Sequence, residues 1–277
     1  MVSFVILHYK SIDETLECLN CLKSTFNENE YSAIVVDNNS LLEEEVNKIK
    51  EFTKDIILLK DNIGFAKANN IGCKYAIEKY NPSFIAVINN DVFIKQRDFI
   101  NIIEEDYKKY QFDMLGPWID STTGDSCNPF PVIYGKEKIE QTIEKNKKLV
   151  RIYNNPFMYF LLNVYLNVKH TIKKPKVPTN AKDLKKNIAL HGCSVIFSKK
   201  YYEKYDSVFF NETFLFHEEE FLYNRMIKDN LVSIYDPKLK IFHKEGSSLN
   251  KSGNKRLAKL FKTKEKIKSL ELLLKEI

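Results

Sequence analysis

Four clusters of polar residues in the first third of the chain carry side chains suited to ligand binding. They are His8 with Tyr9, the run Asp37-Asn38-Asn39-Ser40, Asn62, and Asn89-Asn90-Asp91, and each follows a short apolar run. In open α/β sheets, ligands bind at the carboxyl ends of parallel strands. Carboxylate and amide oxygens there suit hard divalent cations and hydrogen-bonding substrates. The clusters therefore predict one ligand site along one edge of a sheet.

The apolar runs before these clusters are predicted to be the strands of that sheet: Val2–Leu7, Ala33–Val36, Ile56–Leu59 and Phe84–Ile88. Between them lie apolar residues three or four positions apart, which is typical of amphipathic helices. Strands that are apolar throughout and alternate with helices predict an α/β fold with a mostly parallel sheet. The chain lacks both the glycine-rich dinucleotide fingerprint after the first strand and a GxxxxGK[ST] phosphate loop, which excludes those two nucleotide sites.

The regular alternation ends after Gly116, and Pro117–Pro131 is predicted to be a loop. A basic insertion follows at about 135–187; from Gly135 to Lys186 it has 13 Lys or Arg against 4 Asp or Glu. The elements predicted beyond it are a strand-like run Ile188–Ser198 interrupted at Gly192, a helix from about Glu218 to Lys228, a strand Val232–Tyr235, a loop around His243 and a basic amphipathic helix within 251–277.

Three consecutive acids, Glu218-Glu219-Glu220, begin the first of those helices. Adjacent carboxylates repel one another, which raises the pKa of at least one of them toward a value useful for a general base. An acidic first turn is also what the helix dipole favours, and the two roles are compatible. Structural alternatives exist for the strand-end clusters too, because the Asp37–Ser40 run can cap a helix and Asn89-Asn90-Asp91 can form an Asx turn.

Several segments, in the same order along the chain, resemble the inverting family 2 glycosyltransferases, especially their rhamnosyltransferase-like and capsular polysaccharide branches. These segments are Val2–Tyr9, Ile34–Ser40, Asn62–Asn70, Ile88–Val92, His191–Cys193, Phe214–Glu220 and Ile241–His243. The resemblance implies the A-type glycosyltransferase fold, which is Rossmann-like, over residues 1–250, followed by a C-terminal helix at 251–277. It also implies inverting transfer of a hexose from a nucleoside-diphosphate sugar to a saccharide acceptor, in capsular or cell-surface polysaccharide synthesis.

For the donor, the resemblance implies that Asp37 accepts the imide N–H of uracil or thymine and that the backbone around His8 and Tyr9 lines the base. Gly64–Asn70 begins a helix whose first amides, with Lys67, would meet phosphate; a plain helix start is the alternative. The expected donor-binding residues are His8, Tyr9, Asp37, Asn39, Asn62, Gly64, Lys67 and Asn90. The rhamnosyltransferase-like pattern favours a dTDP-sugar over a UDP-sugar.

Metal and catalytic roles also follow from the resemblance. Asn89-Asn90-Asp91 resembles the DxD motif with Asn at its first acidic position, so that Asp91 would hold Mn²⁺ or Mg²⁺ on the diphosphate and His243 would complete the site. Glu219, with Glu218 as the second choice, would be the general base. The expected acceptor-site residues are His191, Gly192 and His217, with core or rim positions as alternatives for the two histidines.

The partners expected are a dTDP- or UDP-linked sugar and a lipid-linked saccharide acceptor. The insertion suits a segment lying on an anionic membrane, although a buried lid helix or a dimer contact also fits. The C-terminal helix is open to core packing, a homodimer interface or membrane contact. No apolar stretch approaches the roughly 20 residues that span a bilayer. Five cysteines, an odd number, and no secretory signal indicate a cytoplasmic protein with reduced thiols. Membrane contact by the insertion would place it peripherally on the inner face of the cell membrane.

Other functions fit the sequence less well. A sugar nucleotidyltransferase would want a glycine-rich basic loop after the first strand, which this chain lacks. A catalytically silent nucleotide-sugar-binding partner is compatible with Asn89 at the first acidic position. Nucleic acid is not expected as a partner, because the aromatic residues of the insertion cluster in one apolar run and are not spaced for base stacking.

Overall fold

The computed structural model describes residues 1–121, 128–169, 182–244 and 254–277, which form one sheet with helices on both faces. The strands are β1 (Val2–His8), β2 (Tyr31–Asp37), β3 (Ile56–Leu58), β4 (Phe84–Asn89), β5 (Val92–Phe93), β6 (Met114–Ser121), β7 (Lys185–Lys186), β8 (Ser194–Ser198) and β9 (Ser233–His243). The helices are α1 (Ile12–Thr25), α2 (Glu43–Lys50), α3 (Phe65–Tyr80), α4 (Phe99–Tyr110), α5 (Lys136–Asn154), α6 (Pro156–Lys169), α7 (Lys199–Tyr202), α8 (Glu218–Asp229) and α9 (Lys255–Glu276).

The sheet has the strand order β3-β2-β1-β4-β8-β6-β9-β5, and β7 also pairs with β9. Among the strands of the described residues, β8, β5 and β7 run against the other six, so the predicted mostly parallel α/β sheet is confirmed. β1 lies between β2 and β4 in parallel register, with His8 opposite Asp37 and Leu7 opposite Asn89. The first, second and fourth polar clusters therefore meet at one edge of the sheet.

Both faces of the central strands are buried, which explains their uniformly apolar sequences. On β1, Phe4 and Ile6 face a core that includes Leu19 of α1 and Ile103 of α4. Val5 of the same strand points to the opposite face, where the core includes residues of α3 and α8. The packing of helices on both faces fixes the sheet edge that carries the polar clusters.

Two sequence predictions for the chain after Gly116 are wrong. Pro117–Ser121, predicted as loop, belongs to β6, which pairs with β9 with a register shift between Pro117 and Trp118. Proline cannot donate a ladder hydrogen bond, and such an irregularity accommodates it within a strand. His243, predicted in a loop, is the last residue of the eleven-residue strand β9. It lies opposite Val92 of β5, which brings it beside Asp91.

The basic insertion forms α5 and α6 in the part that is described, while residues 170–181 lie outside the described residues. Ile139 and Ile143 of α5 are buried with Leu270 and Leu273 of α9 and with Phe221 of α8. The C-terminal helix therefore packs in the core, which is one of the three roles that the sequence left open beside a homodimer interface and membrane contact. Among the described helices, none combines the length and the apolar composition needed to cross a bilayer.

Candidate active site

The polar edge of the sheet borders a cavity of about 520 Å³, here called the edge cavity. Five of the residues predicted from the sequence to bind donor or metal line it: Tyr9, Asn62, Gly64, Asn90 and Asp91. Its lining also includes residues outside the expected donor-binding and metal-binding set, namely Lys10, Asn38, Phe214, Leu215, Ala258, Phe261 and Lys262. Three of these come from α9, about 170 residues after Asp91 in the chain.

Asn38 and Asn62 build the loop that forms one wall of the edge cavity. The side-chain oxygen of Asn38 accepts the N–H of Ile63 at 2.9 Å, and its amide donates to Asn62 Oδ1 at 2.9 Å. Asn62 Oδ1 also accepts the N–H of Gly64 at 3.0 Å. Gly64 has φ +90°, and a Cβ there would collide with the carbonyl group of Phe214. Glycine is therefore required where this loop closes on the segment before α8.

The Asp37 carboxylate caps the turn that follows β2, as in the structural alternative to nucleotide binding. Its two carboxylate oxygens accept the backbone N–H of Ser40, the Ser40 hydroxyl and the N–H of Leu41, at 2.9–3.2 Å. The residue is only 4% exposed and lies outside the described lining of the edge cavity. Three donors of the following turn thus already occupy the carboxylate from which a nucleobase contact is expected.

Three other expected donor residues also lie away from the cavity lining. Asn39 is exposed with φ +60°, and Lys67 is exposed on α3. His8 is buried behind the edge, with Nδ1 at 2.7 Å from the Thr15 hydroxyl, and burial lowers its pKa. The lysine that the structure brings to this end of β1 is Lys10, whose Nζ lies 4.9 Å from the ring centre of Tyr9.

His8 nevertheless connects to the cavity through Thr15. The Asn90 amide nitrogen donates to the Thr15 hydroxyl at 3.0 Å and to the carbonyl oxygen of Ser11 at 3.3 Å. Both donors of that amide are thus engaged, so a ligand contact of the Asn90 side chain would be made by its oxygen. A buried polar network of this kind fixes the orientation of a side chain in the site.

Asp91 and His243 form a close pair at the end of β4. Asp91 Oδ1 lies 3.1 Å from His243 Nε2, both side chains are buried, and His243 Nδ1 has no hydrogen-bond partner in the described part of the chain. The described residues contain no group of three or more His, Cys, Asp or Glu that could hold a metal ion. A carboxylate and an imidazole still fit Mn²⁺ or Mg²⁺, because these ions take their remaining ligands from phosphate and water.

The three acids that begin α8 have different partners. Glu219 Oε1 accepts the backbone N–H of Gly192 at 3.0 Å, and burial is the main cause that raises the pKa of Glu219. Burial, with Glu219 next in weight, raises the pKa of Glu218 to about 8, and Glu218 Oε1 has no partner among the described residues. Glu220 Oε2 lies 3.2 Å from His217 Nδ1. Glu219 is thus the acid for which the described residues show a hydrogen bond to the turn that is expected to border the acceptor.

That turn, His191-Gly192-Cys193, adjoins the pair formed by Asp91 and His243. The N–H of Asn89 donates to the carbonyl oxygen of Cys193 at 2.9 Å. The imidazole rings of His191 and His243 lie edge to face with centres 6.1 Å apart. Burial, with a smaller effect of His243, lowers the pKa of His191 to about 4, so His191 is neutral at physiological pH. The turn therefore connects Glu219 on one side with the end of β4 on the other.

The mostly parallel sheet with a ligand cavity at its carboxyl edge matches the A-type glycosyltransferase fold. The family model described as glycosyl transferase family 2 matches residues 3–227. The chain therefore belongs to glycosyl transferase family 2.

Two solved structures are similar to this chain at low identity. The crystal structure of S. aureus TarS 1–349 is 13% identical with a TM-score of 0.53, covering 93% of this chain and 68% of that one. The same TarS fragment in complex with UDP is 14% identical with a TM-score of 0.56, covering 98% of this chain and 65% of that one. This chain thus spans about two thirds of the TarS fragment, and the likeness shows the fold. Comparison with curated proteins gave no match.

Proposed function

We propose that this protein transfers a hexose from a nucleoside-diphosphate sugar to a saccharide acceptor, with inversion at the anomeric carbon. The observation that carries the proposal is the position of Glu219. It is hydrogen-bonded to Gly192, and the neighbouring residue His191 packs against His243, which is a candidate metal ligand. Membership of glycosyl transferase family 2 and the UDP bound by TarS support a nucleotide-sugar donor. The sequence resemblance favours dTDP over UDP.

In the proposed donor complex, the nucleoside lies against Tyr9 and the loop of Asn38 and Asn62. The diphosphate points toward Asn90 and Asp91 at the end of β4. Asp91 and His243 would hold Mn²⁺ or Mg²⁺ there, and such an ion stabilises the negative charge on a departing diphosphate. Asn90, whose amide nitrogen is held by hydrogen bonds to Thr15 and Ser11, lines the same space.

In the proposed reaction Glu219 is the general base. Its carboxylate takes the proton of the acceptor hydroxyl while that oxygen attacks the anomeric carbon. The bond from that carbon to the diphosphate breaks on the opposite face, and the nucleoside diphosphate leaves. Burial raises the pKa of Glu219, which makes it a better proton acceptor than an exposed carboxylate. Glu218 is less suited, because its Oε1 has no hydrogen-bond partner in the described part of the chain, whereas Glu219 is bonded to Gly192 of the turn expected to border the acceptor.

The proposed acceptor is a saccharide carried on a membrane lipid, as in capsular or other cell-surface polysaccharide synthesis. Helix α6 has a row of exposed apolar side chains: Phe157, Met158, Phe160, Leu161, Val164 and Tyr165. Exposed basic residues of the preceding helix, Lys145, Lys148 and Arg151, lie close in the chain to this row. Apolar and basic side chains together match an anionic lipid surface on the inner face of the membrane.

The apolar row is also adjacent to the helix that borders the edge cavity. Arg256 of α9 donates to the carbonyl oxygen of Tyr153 at 2.7 Å, and Lys259 Nζ lies 5.4 Å from the ring centre of Tyr159. The next turn of α9 contributes Phe261 to the cavity. A lipid-linked acceptor at the α6 surface would therefore be near the proposed donor site.

The proposal is tested by incubating the protein with UDP- and dTDP-linked hexoses, MnCl₂ and a bacterial lipid-linked saccharide extract. We expect release of one nucleoside diphosphate and a thermal shift with that same nucleotide. A sugar nucleotidyltransferase would instead release pyrophosphate from a nucleoside triphosphate and a sugar phosphate. Binding of the nucleotide with no release under any of these conditions would favour the silent binding partner and contradict the proposal.

A further inference from the structure

The C-terminal helix contributes to the edge cavity from outside the family match. The family model ends at residue 227, whereas α9 begins at Lys255. Ala258, Phe261 and Lys262 of α9 nevertheless line the cavity that Asp91 borders from the sheet edge. The donor site proposed above is thus closed on one side by a segment that the family pattern does not include.

Packing holds this part of α9 in place. The ring of Phe261 lies edge to face with that of Phe214, with centres 6.2 Å apart. Two turns further on, the Ser269 hydroxyl donates to the carbonyl oxygen of Leu215 at 3.0 Å. Beyond it, Leu270 is fully buried in the core shared with α5 and α8. Because the helix is anchored at these points, the position of Lys262 at the cavity is set by the fold.

Lys262 is the positively charged residue that α9 contributes to the edge cavity. It is half-buried, and in the described part of the chain no acidic side chain forms an ion pair with it. Burial, followed by the charge of Lys266, lowers its pKa. A cation that is partly removed from water without a partner is unfavourable unless an anion neutralises it. Lys10, which also lines the cavity, adds a second positive charge and has no ion pair among the described residues.

We propose that Lys262 binds the diphosphate of the donor and stabilises the nucleoside diphosphate as it departs, which makes α9 part of the donor site. This inference rests on the proposed function. A diphosphate is the part of a nucleotide sugar whose charge matches two lysines facing one cavity. The ammonium group of Lys262 contributes through charge, so an arginine can replace it and a neutral side chain cannot.

The test compares Lys262→Gln, Lys262→Arg and the control Lys264→Gln, which removes an exposed lysine of the same helix outside the edge-cavity lining. Calorimetry with UDP and dTDP in MgCl₂ gives the affinity for each nucleotide, and ligand-observed NMR gives that for uridine and thymidine. We expect Lys262→Gln to weaken nucleoside-diphosphate binding by about tenfold or more and to leave nucleoside binding unchanged. Lys262→Arg and Lys264→Gln should stay within about threefold of wild type.

The outcomes separate this inference from the proposed function. If wild type binds a nucleoside diphosphate and Lys262→Gln binds it equally well, the role of Lys262 is refuted while the donor site stands. If Lys262→Gln weakens nucleoside and nucleoside diphosphate alike, the lysine shapes the cavity and does not bind phosphate. If wild type binds neither UDP nor dTDP, the proposed function fails and takes this inference with it. Thermal unfolding of each variant checks that the fold is retained.

Discussion

Replacing Glu219 with Gln removes the proposed proton acceptor and keeps the shape of the side chain. In the structure Glu219 Oε1 accepts the N–H of Gly192 at 3.0 Å, and the amide oxygen of glutamine can accept the same hydrogen bond. Donor binding should therefore be unchanged. A positioned general base contributes about 10²- to 10⁴-fold to a rate, so we expect turnover to fall by that factor.

The same substitution should not destabilise the fold at neutral pH. Burial raises the pKa of Glu219 above the value it has in the unfolded chain, so the folded state disfavours its ionised form. At acidic pH Glu219 is protonated in both states, so its raised pKa does not reduce the free energy of unfolding. As the pH rises from the unfolded-state pKa toward the folded-state pKa, the unfolded chain ionises more readily and the free energy of unfolding falls. Gln does not titrate, so Glu219→Gln should match or exceed the wild-type Tm at pH 7–8. A gain of about 1 kcal/mol would correspond to roughly 2–4 °C.

The assay follows nucleoside-diphosphate release across pH 5–9, with thermal unfolding of the same samples. The matched control is Glu218→Gln, which alters the neighbouring buried acid whose pKa is about 8. We expect this control to keep turnover within about tenfold of wild type, well short of the loss of a general base. The reasoning is refuted if Glu219→Gln retains wild-type turnover, or if Glu218→Gln loses turnover to the same extent.

The remaining predictions concern the turn, the metal and the membrane. Gly192→Ala places a Cβ 2.8 Å from Glu219 Oε1 and should displace that carboxylate. We expect kcat to fall at least about tenfold with the donor Kd unchanged, and an unchanged kcat would contradict the contact. Asp91→Asn should abolish the dependence of donor affinity on Mn²⁺ measured by calorimetry, and persistence of that dependence would remove Asp91 from the metal site. Phe157→Ser with Phe160→Ser should reduce co-sedimentation with phosphatidylglycerol vesicles but not Tm; equal sedimentation would count against the α6 surface, because these side chains are 66% and 61% exposed.

The sheet and its functional edge could be predicted because their signals are local. Uniformly apolar runs define strands buried on both faces, and a polar cluster after each run marks its carboxyl end. Parallel register then brings these ends together, as His8 opposite Asp37 demonstrates. Tyr9, Asn62 and Asp91 follow such runs in the sequence, and all three line the edge cavity.

Other parts of the site depend on contacts between distant segments, which a single sequence does not display. Lys67 was expected near phosphate from its place at a helix start, yet the lysines at the cavity are Lys10 and Lys262. The position of Lys262 depends on the packing of α9 against α5 and α8. The pairing of β5 with β9, which brings His243 beside Asp91, likewise joins residues about 150 positions apart.

A crystal structure with UDP or dTDP and Mn²⁺ tests most directly whether the edge cavity is a donor site served by Glu219. We predict the nucleoside against Tyr9, the diphosphate between Asp91 and Lys262, and the Glu219 carboxylate beside the space where the sugar would lie. Nucleotide bound elsewhere on the molecule, or a Glu219 carboxylate separated from that space by protein, would contradict the account.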